Sequence, residues 1–293
     1  VGHNGGGRIG DGTDKRRSSP VKVVDGGVAS VAVCDHSLFI KEDGSLWAMG
    51  NNASGRLGDG TKTTRKSPVK IVESGVVAVS TGNSHTLFLK FDGSLWAMGG
   101  NSYGQLGDGT TVERNSPVQV VDSSVTRISS GMRHSLFLKN DGSLWAMGCN
   151  SHGRLGNGQS YQSQPSPIKI LDSNVTEISA GMEHSLFLKS DGSAWAMGRN
   201  GSGRLGDGAN LEMRNPVQII EANVTTVLAD KWNSFFLMAD GSLLGCGVNS
   251  QGQLGIDPGI SSSLASPTIV TEGVVKAAVG AKTVLYLKND GIL

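Results

Sequence analysis

GMRHSLFLKNDGSLWAMGCN, residues 131–150, is the stretch on which the fold turns, because it returns twice at a nearly constant interval. It reads GNSHTLFLKFDGSLWAMGGN at 82–101 and GMEHSLFLKSDGSAWAMGRN at 181–200. Self-similarity at a fixed period of this length is the signature of a repeat architecture. The Asn that follows each Met-Gly pair, or its counterpart, is a register mark: Asn4, Asn52, Asn101, Asn150, Asn200 and Asn249, in steps of 48 to 50 residues. The copies fill the chain without insertions.

Within one unit, Leu136-Phe137-Leu138-Lys139 and Leu144-Trp145-Ala146-Met147 flank Asp141-Gly142. That is the chemistry of a tight hairpin whose central residues take positive φ. Pro117 to Val121 and Val125 to Ser129, parted by Asp122-Ser123-Ser124, read as two more strands. Each unit is then a four-stranded antiparallel meander. The hairpin strands are apolar at successive positions, so both faces of each sheet must be covered. Small sheets stacked radially satisfy this, which predicts an all-β fold, a β-propeller of four-stranded blades. Six units are counted, approximately 2–49, 50–98, 99–147, 148–197, 198–246 and 247–293, in a single domain over 1–293. Leu293 stops in the strand that reads Leu-Trp-Ala-Met elsewhere, and Val1-Gly2 resumes at the place of Met49-Gly50. The expectation is a monomeric ring closed by the two termini in one shared blade, or a seven-bladed ring if one unit is missing.

Composition narrows the function. Forty-three glycines against 8 prolines, with 37% hydrophobic and 17% charged residues, describe a folded, turn-rich chain. A formal net charge of +1 supplies no field that would draw in nucleic acid or an anionic membrane, so neither is expected as a partner. Cys34, Cys149 and Cys246 are odd in number and lack Cys-x-x-Cys spacing, which points to free thiols. No apolar run approaches the roughly 18 residues that span a bilayer. No compartment is legible beyond a soluble protein, with a secreted or cell-surface setting favoured over a cytoplasmic one.

Gly-x-x-His-Ser/Thr, then Asp-Gly-x-Leu-Trp, then Gly-x-Asn-x-x-Gly-x-Leu-Gly, in order and at constant spacing, resembles the regulator of chromosome condensation repeat family over the whole chain. The resemblance implies a β-propeller, seven-bladed in the best-known members. It also implies a spread of functions: nucleotide exchange on a small GTPase, ultraviolet sensing, secreted inhibition of β-lactamases, and protein scaffolding. Fold does not choose among them. Units of 48 to 50 residues leave no room for the inserted wedge of the exchange factors. Gly82-Asn83-Ser84-His85 and Gly131-Met132-Arg133-His134 carry none of the photoreceptor's tryptophans. The expected function is therefore a non-catalytic protein-protein interaction scaffold. Its alternative is a regulator of an enzyme, such as a β-lactamase inhibitor or an exchange factor.

Nothing in the repeat asks for a catalyst, a cofactor or a metal. His36, His85, His134 and His184 share one position with Asn233 and Thr283, residues that keep a hydrogen bond but ligate transition metals poorly. They read as strand-start polar groups bonded to backbone. Trp47, Trp96, Trp145 and Trp195 read as core. Asp11, Asp59, Asp108 and Asp207 alternate with Asn157 and Ile256, which excludes a calcium site needing six or more oxygens. Gly5 to Gly10 satisfies a dinucleotide-loop pattern without the helix that gives it meaning.

Comparing the copies separates what the blade requires from what it leaves free. Before the His position lie Cys34-Asp35, Asn83-Ser84, Met132-Arg133, Met182-Glu183, Lys231-Trp232 and Ala281-Lys282. Beside the register Asn lie Asn51, Gly100, Cys149, Arg199 and Val248, then pairs such as Ser102-Tyr103 and Ser151-His152. The meander carries both sets, and the long loops, to one face. Variable loops over rigid strands suit recognition. The expected partner-binding residues are Trp232, Lys231, Met132, Arg133, Met182, Glu183, Asn83, Ser84, Asp35, Tyr103, His152 and Arg199. Trp232 leads them as the tryptophan outside the structural register. Lys15, Arg16, Arg17, Lys62, Arg65 and Lys66 read as a solvated basic rim.

Overall fold

The Asp-Gly hairpin sets the first level of structure. Gly142 takes φ 75° while Asp141 does not enter the positive region, and Gly142 N–H donates to Lys139 O at 3.0 Å. The hairpin loop is thus a three-residue type I turn closed by a left-handed glycine, and not the two-residue turn with both central residues at positive φ that the sequence suggested. Across it, Phe137 pairs with Trp145 and Leu136 with Ala146.

The computed structural model describes residues 1–280 and 283–292. Its first sheet is an antiparallel meander of β1 (Val28–Val33), β2 (His36–Lys41), β3 (Leu46–Gly50) and β4 (Arg65–Val72). The same order recurs in 76–121, 125–171, 175–220 and 224–271, and residues 274–288 form a two-stranded sheet. The architecture is all-β, with β-propeller blades. First strands of successive sheets meet through side-chain bonds, Ala180 N–H to Ser129 Oγ at 2.9 Å and Ala229 N–H to Ser179 Oγ at 2.8 Å, which places them innermost.

The core lies between sheets, which explains the unbroken apolar runs. Leu136, Leu138 and Ala146 pack forward on Phe187 and Met197 of the next sheet. Phe137 and Met147 pack backward on Leu87, Leu89 and Ala97. The register tryptophans are half-buried on the third strand of their sheets, packed against the margin of this core and not deep in it. Trp145 stacks on Phe137 at 5.9 Å, donates Nε1–H to Ser143 Oγ at 2.9 Å, and carries Lys139 Nζ 4.8 Å from its ring centroid.

At the two ends the pattern loosens. Val31 and Val33 of β1 are 67% and 70% exposed, and Leu285 and Leu287 are 56% and 36% exposed where their counterparts Leu87 and Leu89 are buried. Gly2 bridges to Arg17, the counterpart of the Gly50 to Arg65 pairing, and Ile292 is exposed. Among the described residues the termini do not share a sheet; Leu293, on which that expectation also rests, lies outside them.

Candidate functional site

The loop face is built on a repeated lock. Asn101, fully buried, donates from Nδ2 to Asp108 Oδ1, Thr110 O and Val112 O at 3.0 to 3.1 Å and accepts Leu106 N–H at Oδ1. Asp108 in turn takes Arg114 Nε–H at 2.6 Å, as Asp59 takes Arg65 and Asp11 takes Arg17. These hydrogen bonds hold the Asp108 carboxyl below the usual carboxylate range although burial opposes them. Arg17, Arg65, Lys62 and Lys66 of the expected basic rim are thereby spent on Asp11, Asp59, Glu113 and Asp14.

The His position is a second lock, and it crosses sheets. His36, His85, His134 and His184 are completely buried, each with Nε2 within 2.7 to 3.0 Å of the hydroxyl of Thr86, Ser135, Ser185 or Ser234 in the following sheet. Each hydroxyl donates its own hydrogen to a carbonyl, Ser135 to Gln105 O and Ser185 to Arg154 O. The hydroxyl must then accept, which fixes the imidazole as the neutral Nε2–H tautomer. Burial, with Arg56 adding repulsion, pushes His36 and His85 down to about 3. The partner is therefore a neighbouring side chain and not the backbone that the sequence suggested.

Above these locks lie the variable residues, and the structure gathers only some of them. Arg133 and Tyr103 form one group, Nη1 donating to the phenol oxygen at 2.9 Å with the guanidinium 4.8 Å from the ring centroid. Glu183, Arg199, Lys231 and Trp232 form another. Arg199 Nη1 donates to Glu183 Oε2 at 2.6 Å, and Lys231 Nζ lies 5.5 Å from the Trp232 ring. Met182 borders this group through its carbonyl, which accepts Arg154 Nη1 at 3.2 Å. Asp35 pairs apart with Arg8, and His152 with Glu212. Asn83 gives its carbonyl to Arg56, while Ser84 receives Gln105. Met132 is half-buried; Ala281-Lys282 lie outside the described residues.

Sequence reasoning passed over the arginines beneath the face. Arg8, Arg56, Arg154 and Arg204 share one repeat position with Gln105 and Gln253, a periodic cation that should have raised the question of what it binds. Arg204 is almost wholly buried, its guanidinium 4.9 Å from the Trp232 ring centroid. Asp230, which replaces the glycine of the Gly-x-x-His motif, was missed as well. It accepts Trp232 N–H at 2.6 Å and Asn233 N–H at 2.7 Å, and burial raises its carboxyl to about 6 against those bonds.

The RCC1-like domain family model matches residues 1–227. The chain belongs to this family. Among solved structures it is similar to human WBSCR16, at 24% identity and TM-score 0.78, covering 89% of this chain and 72% of that one. It is also similar to yeast RCC1 (Prp20) in its complex with Kap60, at 21% identity, TM-score 0.78, and 90% and 67% coverage. A second structure, Prp20p from Saccharomyces cerevisiae, characterised with its binding to Gsp1p and histones, gives 20%, 0.76, and 90% and 70%. No curated protein matches the chain. At these identities the likeness carries the propeller fold. No helix among the described residues is long and apolar enough to cross a membrane.

Proposed function

We infer that the chain is a non-catalytic binding module that engages another protein through the loop face, with the group around Trp232 as its centre. The observation that carries this reading is the division of labour within each unit. The Asn and His locks commit the recurring buried asparagines, histidines and their Ser or Thr partners to internal bonds, while the positions that vary from copy to copy stand on one face above them. Rigid strands under a variable surface preorganise contacts, and aromatic and arginine side chains dominate binding energy. Binding of Gsp1p and histones by Prp20p is the kind of activity this reading extends to the present chain. No group of three or more His, Cys, Asp or Glu able to hold a metal occurs among the described residues, and the buried histidines are committed to their hydroxyls.

Affinity capture from lysate tests the reading. Trp232→Ala combined with Met132→Ala and Met182→Ala should release the captured protein, whereas Lys70→Ala on the outer strand should not. Retention of every partner by the triple variant defeats the assignment of the face.

A further inference from the structure

We propose that the loop face over the fourth and fifth sheets is a receptor for an acidic segment of the protein partner, one of whose carboxylates docks on Arg199 beside Trp232. This deepens the loop-face reading and rests on it.

Among the described residues, Glu183 is the only acid that three guanidinium groups approach. At the other units the periodic position is neutral, Gln105 and Gln253, or its arginine is met singly: Arg8 by Asp35 at 3.3 Å, and Arg56 by the Asn83 carbonyl. Over the fourth sheet three guanidinium groups converge on one acid. Glu183 has Arg199 Nη1 at 2.6 Å, Arg154 Nη2 at 3.7 Å and Arg204 Nη1 at 3.9 Å. Asp230 is the second acid nearby, and its Oδ1 is already taken by the two backbone N–H groups of its own turn. Arg154, Arg199, Arg204 and Lys231 therefore face two carboxylates, leaving a positive surplus.

The buried members make that surplus felt. The side chains of Arg154 and Arg204 are 3% and 2% exposed, and Arg204 Nη1 has no hydrogen-bond partner. Their heads are held in place by hydrogen bonds, Arg154 Nε donating to Ser151 O at 3.0 Å and Arg204 Nε to Gly201 O at 3.1 Å. A fixed cation out of water is poorly screened, so it projects a positive potential onto the surface above it. Arg199, with a side chain 42% exposed, is the member that reaches that surface. Trp232 lies against Arg204 and offers an indole to the apolar neighbours of the docking carboxylate. One carboxylate satisfies this point charge, whereas a nucleic-acid strand would bring a phosphate at every nucleotide against Glu183 and Asp230 in a chain of net charge +1.

The test is selection from a random dodecapeptide display library on the full chain. Asp and Glu should be enriched among the selected peptides. Binding of a selected peptide should fall at least tenfold with Arg199→Glu and recover when the peptide's acid is changed to Lys. Arg199→Gln, checked for an unchanged melt, should give an intermediate loss without charge reversal. Recovery of no acidic peptide, indifference to Arg199→Glu, or tighter binding of a single-stranded oligonucleotide than of the peptide overturns the proposal. If the selected peptides are neutral yet lost on the Trp232, Met132 and Met182 changes, this proposal falls and the loop-face reading stands.

Discussion

Lowering the pH from about 7.5 to about 5.5 should weaken the fold by about 4 to 5 kcal/mol, and the buried histidines are the reason. Each imidazole already holds its proton on Nε2, so acid must protonate Nδ1. In His36, His85, His134 and His184 that atom is buried without a partner. Burial holds His36, His85 and His184 down at about 3 and His134 well below its usual range, while an unfolded imidazole titrates near 6.5. A depressed native pKa means that the unfolded chain binds the extra proton first, so stability drains away as pH falls below about 6.5. At pH 5.5 each histidine contributes a loss of about 1.4 kcal/mol, and four contribute about 5 to 6. Asp230 works the other way: its carboxyl is raised to about 6, so the native state takes up a proton first and regains about 1 kcal/mol. Carboxyls held low, such as Asp59 and Asp108, matter only below about pH 5. Urea unfolding at the two pH values measures the difference. His134→Asn, which imports the residue found at Asn233, should remove about a quarter of it. A drop below about 1 kcal/mol, or resonances assigned to His36, His85, His134 or His184 titrating near 6.5 in the native protein, would refute the argument.

Three further outcomes follow from the same contacts. Asp207 Oδ2 is buried without a partner because Met213 stands where Arg65 and Arg114 stand in earlier sheets; Met213→Arg should supply the missing donor and raise stability by about 1 kcal/mol, read as an upward shift of the melt. Asn101→Ala strands Leu106 N–H and removes the donors to two carbonyls, so a loss of about 2 to 3 kcal/mol is expected in urea, and an unchanged midpoint speaks against the lock. Gly148 holds φ 102° with the Arg133 carbonyl oxygen only 2.6 Å from where a Cβ would stand, so Gly148→Ala should cost about 2 kcal/mol or more by the same assay.

The repeat made the fold legible because a blade needs the same residues each time it is built. Leu136-Phe137-Leu138 could be read as covered on both faces before any neighbour was known, and the structure places those neighbours in the sheets before and after. Turn type was less legible, since Asp-Gly serves both a two-residue loop and the three-residue loop found at Asn140 to Gly142. The His position shows the limit more sharply. His134 and Ser135 are adjacent in sequence, yet His134 bonds Ser185 and Ser135 receives His85. A motif repeated in every unit hides whether its parts meet within a unit or between units, because both arrangements give the same string.

The candidate site was partly legible for the opposite reason: it lies where the copies disagree. Trp232 drew notice as a single departure, but the structure shows a departure made in concert. In the second, third and fourth sheets a Cβ on Gly82, Gly131 or Gly181 would overlap the imidazole of the same motif, so glycine there is the room that histidine occupies. In the fifth sheet Asn233 stands for the histidine and turns its Nδ2 to Cys246 O and Val248 O. The vacated room admits the side chain of Asp230, whose carboxylate then fixes the backbone N–H of Trp232 at 2.6 Å. Loss of the imidazole, gain of the carboxylate and placement of the indole over Arg204 are thus one structural change spread over four consecutive residues. Read one position at a time, Asp230 looks like a broken glycine and Asn233 like a lapsed histidine. Read together, they orient the aromatic surface on which the positive potential of Arg154 and Arg204 is presented.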